Sequence, residues 1–260
     1  MREVIKALPG VYQWRVRRYH RRFLENIHGN LFRGVYASFA AATADLPPRA
    51  AVGYDQPGAA DMYRSFMKGP REWDYPVLYW LDKQGPALHS VFDHGGHVGI
   101  LYYALRRYLS VGAAFRWRVQ DVPSVNVAGR KLALEQGATQ LEFTDQFTDA
   151  NGCDLLLSSG ALQYLEASPA DMLASLRDCP QHVIINMLPV HEHEEFVTVN
   201  AMGVSFCPYK VRHRERFLHE MEQTGWQVRD EWQNLGKSCE IPFHERHNRV
   251  EYYGWYFRRR

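Results

Sequence analysis

The sequence predicts an α/β fold with a parallel sheet, preceded by an N-terminal extension. Three observations carry this. From Leu88 onward, short apolar runs alternate with helix-like stretches, as in right-handed strand–helix–strand crossovers. The first run leads into a glycine-rich turn, Asp93-His94-Gly95-Gly96-His97-Val98-Gly99, and then a helix. The last two runs are joined without a long helix, which suggests an antiparallel hairpin at a sheet edge.

In chain order, Tyr12, Val16, Tyr19, Phe23 and Ile27 recur at steps of three and four, so residues 11–28 read as an amphipathic helix. Arg15, Arg18 and Arg22 fall mainly on its other side, and Gly29-Asn30 stops it. Leu31 to Phe39 is aromatic and contains a glycine. An Ala-rich helix follows and breaks at Pro47-Pro48. Further helical stretches are expected over about 58–69 and 75–81. The predicted strands are Leu88 to Phe92, Phe115 to Gln120, Gln140 to Thr144, Asp154 to Ser158, His182 to Met187, Gln227 to Trp232 and Val250 to Phe257. Helices are expected from Gly99 to Leu109, Val125 to Gln136, Ala170 to Asp178 and Arg212 to Thr224.

A chain of 260 residues suits one α/β domain plus an extension. The division expected is 1–85 for a helical extension or cap and 86–260 for the sheet domain. A net charge of +2 excludes a general polyanion binder. The basic residues are nevertheless clustered at Arg15, Arg17, Arg18, Arg21 and Arg22, so residues 11–27 are a candidate peripheral contact with an anionic membrane face. Cys153, Cys179, Cys207 and Cys239 form no C-x-x-C pair and read as reduced thiols of a cytoplasmic protein. No apolar run approaches the ~18 residues of a membrane span. Val4 to Leu8 is too short for a signal-peptide core.

The glycine turn is the strongest constellation. Gly95, Gly96 and Gly99 would let backbone and ligand approach closely. Their spacing is not the dinucleotide fingerprint, and Asp93 at the strand end would repel a pyrophosphate. The same acid would suit a cation such as the amino group of a methionyl moiety. Asp121, about 22 residues beyond Gly99, ends the next strand, where a carboxylate can accept from both ribose hydroxyls of an adenosine. A solvated loop acid before Pro123 is the plainer reading of Asp121, and Gln120 is the alternative ribose ligand. Asp145, after the third strand, is a candidate for the adenine amino group.

These elements resemble the class I S-adenosylmethionine (SAM)-dependent methyltransferases. More narrowly, the chain is similar to a bacterial methyltransferase family often associated with surface-polysaccharide genes. The features that carry the likeness are Phe32-Arg33-Gly34-Val35-Tyr36-Ala37-Ser38-Phe39, Gly53-Tyr54-Asp55, Tyr75-Pro76-Val77-Leu78, the glycine turn, and Asp121-Val122-Pro123. Asp154-Leu155-Leu156-Leu157-Ser158-Ser159-Gly160-Ala161-Leu162-Gln163-Tyr164-Leu165 and the closing Tyr253-Gly254-Trp255-Tyr256-Phe257 complete it. It spans roughly residues 31–257, and its Ser-Gly-x-Leu-Gln-Tyr block is more specific than its glycine turn. The resemblance implies a Rossmann-like, seven-stranded methyltransferase sheet with an α-helical N-terminal extension, and SAM as cofactor. Asp93, Gly95, Gly96, Gly99, Asp121, Val122, Asp145, Ser158 and Ser159 would form the cofactor site. His94 and His97 depart from the pattern, which more often has small or aliphatic residues there.

Methyl transfer needs alignment of acceptor and methyl group, and often a base. Ser158, Ser159, Gln163 and Tyr164 follow the fourth strand and could shape the methionine end and the acceptor mouth. After the fifth strand, Val190-His191-Glu192-His193-Glu194-Glu195 offers His191 or His193 as general base, with Tyr164 and the turn histidines in reserve. A charged surface loop explains the same residues. His-Glu-His alternation is no recognised ligand spacing, so no metal is expected there. His244-Glu245-Arg246-His247 is ambiguous in the same way. Phe32, Tyr36, Phe39, Tyr54, Tyr63 and Trp73 could lid a cofactor or simply be the core that docks the extension. The expected acceptor is a small molecule or saccharide bearing a hydroxyl or amine. No nucleic acid is expected, because no Asn/Asp-Pro-Pro-Tyr-type base-flipping motif follows the fourth strand. A catalytically inactive binding module and another nucleotide-binding Rossmann enzyme are the rival readings.

Overall fold

The computed structural model describes residues 9–27, 29–56 and 58–260, and the segment Val4 to Leu8 lies outside them. Helix α1 (Pro9–Glu25) packs inward through Tyr19, Phe23 and Leu24, whereas Tyr12 and Ile27 of the expected stripe are exposed. Phe23 is fully buried against Val197, Val199 and Phe206, and the Tyr19 hydroxyl donates to the Phe32 carbonyl at 2.7 Å. Arg17, Arg18, Arg21 and Arg22 face outward. The helix stops before the predicted end because Asn26 takes a left-handed φ of 50°. Its side chain there donates to Ser205 O and accepts from Gly203 N.

Strand β1 (Leu31–Tyr36) and helix α2 (Phe39–Ala44) follow. Ser38 caps α2, its hydroxyl accepting from Ala41 N at 3.1 Å. The stretch expected as one helix over 58–69 is instead two 3-10 turns, Ala59–Asp61 and Arg64–Lys68. Tyr63 separates them with a left-handed φ of 62°. Helix α3 (Tyr75–Gln84) completes the segment. The N-terminal part is therefore not purely helical, because β1 is a strand of the sheet.

The remaining elements are β2 (Ser90–His94), α4 (Ile100–Leu105), β3 (Arg116–Gln120), α5 (Pro123–Glu135), β4 (Leu141–Thr144), β5 (Leu155–Ser159), α6 (Pro169–Ala174), β6 (His182–His191), β7 (Phe196–Ala201), β8 (Phe206–His213), α7 (Arg214–Gln223), β9 (Trp226–Gln233) and β10 (Glu251–Arg259). The seven predicted strands stand in the order β4-β3-β2-β5-β6-β10-β9. The first five are parallel, whereas β10 runs antiparallel to β6 and to β9. Three further strands bring the sheet to ten among the described residues. Strand β8 pairs with β6 at Val190 and His191, beyond the end of β5, and leads into antiparallel β7 and β1.

Period-2 alternation builds the core. Along β5, Leu155 and Leu157 face the layer holding α3, α4 and α5, while Leu156 faces the layer holding α6 and α7. Strands covered on both faces read as continuous apolar runs, as Leu155-Leu156-Leu157 does. Strand β6 carries a bulge. Leu188 pairs with Tyr253 and Ile185 with Trp255, so Asn186 and Met187 together oppose Gly254. Met187 has a φ of 58° there. The extra residue bends the strand and lets it continue to His191 rather than end near Met187.

Candidate functional site

A cavity of about 300 Å³ opens at the carboxyl ends of β2, β3, β5 and β6, where doubly wound sheets take their ligands. The glycine turn forms one wall. Gly95 has a φ of 71°, and its N–H donates to the Gln120 carbonyl at 2.7 Å. A Cβ at Gly95 would lie 2.1 Å from Ala161 Cβ, and one at Gly96 would lie 2.4 Å from Asp93 Oδ2. Both positions therefore exclude any side chain. Gly99 is different: it starts α4 with a φ of 88°, a Cβ there would meet Leu141, and it does not line the cavity.

Asp93 lines the cavity and is 1% exposed. Its Oδ2 accepts from the buried Trp117 indole at 3.0 Å, while Oδ1 is buried without a hydrogen-bond partner. Burial, aided by the nearby Asp121 charge and opposed by the Trp117 bond, pushes the carboxyl up to about 7. Asp121 sits beside it with Val122. Its oxygens accept from His97 N at 2.9 Å and Val122 N at 2.8 Å. Burial still raises it to about 6. Gln120, the alternative ribose ligand, is engaged with the His94 Nδ1 through its side-chain oxygen.

The two unusual histidines are buried rather than solvent-facing. Burial holds both below the ordinary imidazole range, so they are neutral. His97 Nε2 donates to the Ala59 carbonyl at 2.9 Å, and its ring meets Tyr54 and Tyr63 edge-on. It ties the glycine turn to the N-terminal segment. Tyr54, Tyr63 and Trp73 line the cavity. Phe32, Tyr36 and Phe39 pack in the core around β1 and β7.

Ser159 lines the cavity, its hydroxyl accepting from Asn186 Nδ2 at 3.1 Å. Ser158, on the other face of the strand, is 1% exposed and donates to the His94 carbonyl at 3.1 Å, away from the cavity. Asp145 is also outside it: the residue is exposed and its carboxylate accepts from Asn126 at 2.6 Å. Tyr164 lines the cavity and donates to Asn200 Oδ1 at 3.1 Å. Burial raises its phenol far above the ordinary range, so it remains protonated.

His191 and His193 are not among the cavity residues. The continued β6 carries them past the cavity to the β6–β7 turn. His191 is 2% exposed, and its Nδ1 accepts from His193 N and Glu194 N, each at 3.2 Å. That fixes the proton on Nε2, which donates to the Arg246 carbonyl at 3.2 Å. His193 is exposed beside Glu192, and His247 lies 3.2 Å from Glu194. The expected general base is thus a turn cap and a surface residue. Among the described residues, no group of three or more His, Cys, Asp or Glu could hold a metal ion. No helix among them is long and apolar enough to cross a membrane.

Sequence reasoning missed the far wall, made by Arg71, Met202, Tyr209, Lys237 and Tyr252. No local motif marks these residues, and tertiary pairing alone brings them together.

No family model matches the chain, and no curated protein does. Solved structures do match in shape. The N-terminal domain of EvdMO1, determined in the presence of SAH and D-fucose, is 15% identical, with 74% of this chain and 85% of that chain covered and a TM-score of 0.51. The CcbJ methyltransferase from Streptomyces caelestis is 10% identical, with 75% and 98% covered and a TM-score of 0.51. Magnesium protoporphyrin IX methyltransferase from Synechocystis PCC 6803, with bound SAH, is 14% identical, with 80% and 96% covered and a TM-score of 0.50. The likeness is one of fold: a mixed α/β, Rossmann-like sheet of the methyltransferase type.

Proposed function

We propose that the protein is a SAM-dependent methyltransferase acting on a hydroxyl or amine of a small molecule, with a saccharide of the surface-polysaccharide kind as the favoured acceptor. One observation carries this reading. The buried Asp93, a residue of the cavity wall, carries an oxygen with no partner beside a turn that excludes side chains at Gly95 and Gly96. A buried acceptor left unmatched is costly. The ammonium of a methionyl group would match it, whereas a dinucleotide pyrophosphate would be repelled.

Bound here, SAM supplies an electrophilic methyl group on a sulfonium. Asp93 would hold the amino group, with Gly95 and Gly96 allowing close approach of the methionyl chain. Asp121 would accept from the ribose hydroxyls, and Val122 would pack against the base. Ser159 and Tyr164 would be on the acceptor side, where the Tyr164 oxygen, its proton given to Asn200, can accept from an acceptor hydroxyl or amine. Tyr54, Tyr63 and Trp73 would exclude water. A neutral amine acceptor needs no base, so an N-methyl transfer is as compatible with these residues as an O-methyl transfer.

The test is isothermal titration with S-adenosylhomocysteine (SAH). Asp121→Ala should weaken binding by about 1–3 kcal/mol, roughly 5- to 150-fold. Equal affinity in the variant would remove Asp121 from the site, and a wild-type protein blind to SAH would reject the reading. Thermal denaturation of Asp121→Ala and Asp121→Asn controls for the lost caps on His97 N and Val122 N.

A further inference from the structure

The cavity has a cationic corner that the methyl-donor contacts leave unused. Arg71 and Lys237 both line it. Arg71 is fixed: its Nε and Nη2 donate to the fully buried Asp74 at 2.8 and 3.1 Å. Its guanidinium lies 4.3 Å from the Phe66 ring centre and 5.1 Å from that of Trp73. Asp74 balances its charge. Lys237 has no such balance. Lys237 is partly buried, and among the described residues its ammonium has no carboxylate within 4.0 Å and no side-chain hydrogen bond. The Tyr252 ring centre is 6.0 Å away. Burial and the neighbouring Arg71 charge both lower its pKa. A half-desolvated ammonium beside a second cation is a frustrated arrangement that an anion would relieve.

The position of the corner points to the acceptor. The Trp73 carbonyl accepts from Asn186 Nδ2, at the bulge of β6, at 3.0 Å, and Lys237 follows β9. The corner therefore lies on the β6–β10 side, whereas Asp93 and Asp121 end β2 and β3. We propose that Lys237, with Arg71 beside it, is the anion-binding end of the acceptor subsite, so that the methyl acceptor carries a carboxylate or phosphate, as a sugar acid or sugar phosphate does. This rests on the methyl-transfer reading. The carboxylate of the methyl donor is the other source of the same chemistry, and the experiment separates the two.

SAH affinity is measured first, on wild type, Lys237→Met, Lys237→Arg and the exposed control Lys131→Met. D-glucuronate, inorganic phosphate and D-glucose are then titrated into each SAH-loaded protein and followed by tryptophan fluorescence, to which the cavity-lining Trp73 contributes. Wild type should bind glucuronate or phosphate saturably and glucose more weakly. Lys237→Met should lose about tenfold or more of that anion affinity, the scale of one charge-assisted hydrogen bond. Lys237→Arg should retain most of it, a rescue that a packing role would not give, and SAH affinity should stay within about twofold throughout. Three results overturn the assignment: no saturable anion binding, equal anion binding in Lys237→Met, or a tenfold loss of SAH affinity in that variant, which would give the ammonium to the donor's carboxylate. Wild type that binds no SAH would reject the methyl-transfer reading itself and take the acceptor assignment with it.

Discussion

Replacing Asp93 by Asn changes one charge and almost no volume, and its two effects should have opposite signs. Burial raises the carboxyl from 3.8 to about 7. Across that window the folded protein keeps a proton that the unfolded chain has released. The contribution is fully present below the unfolded value and is lost as pH rises through about 7. The rise corresponds to roughly 4 kcal/mol of bias against the buried anion, so Asn should stabilise the free protein at about pH 8 by on the order of 2–3 kcal/mol. Its oxygen can still accept from Trp117. SAH binding should instead fall by about 10- to 150-fold, because a charge-assisted hydrogen bond to the ammonium is gone. Wild-type affinity should itself fall about tenfold from pH ~8 to pH ~6 as the carboxyl takes up its proton, while that of the variant stays flatter. Asp121, raised to about 6 by burial, adds a smaller change in the same direction. Thermal denaturation at both pH values and isothermal titration with SAH measure all of this. Equal SAH affinity at the higher pH, or a variant less stable than wild type there, would refute the assignment of Asp93.

Two further outcomes follow from the placement of the basic and histidine-rich segments. The double change His191→Ala with His193→Ala should leave SAH affinity and methyl transfer to a screened sugar acid or sugar phosphate nearly intact, while lowering stability by ~1–2 kcal/mol through the lost cap on two backbone N–H groups; a hundredfold loss of turnover would restore the loop as catalytic. Because Tyr19, Phe23 and Leu24 of α1 pack inward, any pelleting with anionic vesicles should come chiefly from Arg17, Arg18, Arg21 and Arg22 and vanish in ~0.5 M salt; equal pelleting after charge reversal of these four would remove the helix from any membrane role.

The parts of the fold legible in the sequence are those written in local pattern. Strands β2, β5 and β6 announce themselves by apolar runs, β3, β4 and β9 by a glycine within a few residues before each and β10 by its aromatic residues, and Asp93, Gly95, Gly96 and Asp121 by their place at strand ends. Strands β7 and β8 did not. Phe206-Cys207-Pro208-Tyr209-Lys210-Val211-Arg212-His213 mixes a proline and three basic residues into its alternation, and the charged loop before Phe196 masks β7. The bulge at Met187 has no sequence signal either, yet it moves His191 from the cavity mouth to a turn. Ser158 and Ser159 show the limit of register: adjacent in the chain, they face opposite sides of β5, and only one reaches the cavity. Asp145 was placed at the right strand end, but Asn126 holds its carboxylate and the side chain stays in solvent.

The walls of the cavity divide by origin. The groups suited to the methyl donor come from the end of β2 and from the turns after β2 and β3, inside the seven-stranded unit. The groups suited to the acceptor come largely from elsewhere: Tyr63, Arg71 and Trp73 precede that unit, Met202 and Tyr209 belong to β7 and β8 and their connection, and Lys237 follows β9. A shared sheet does not select an acceptor, because selectivity lies in the site grafted on it. Here the graft has several anchors. The β1–β7–β8 strands are hydrogen-bonded into the sheet through Val190 and His191, and the N-terminal segment is bonded to the glycine turn through His97 and Ala59. The turn that would cradle the donor therefore also holds the backbone leading to Tyr63 and Trp73. A substitution at His97 that breaks this bond should loosen the acceptor wall more than the donor pocket, since Asp121 grips the His97 backbone independently of its ring.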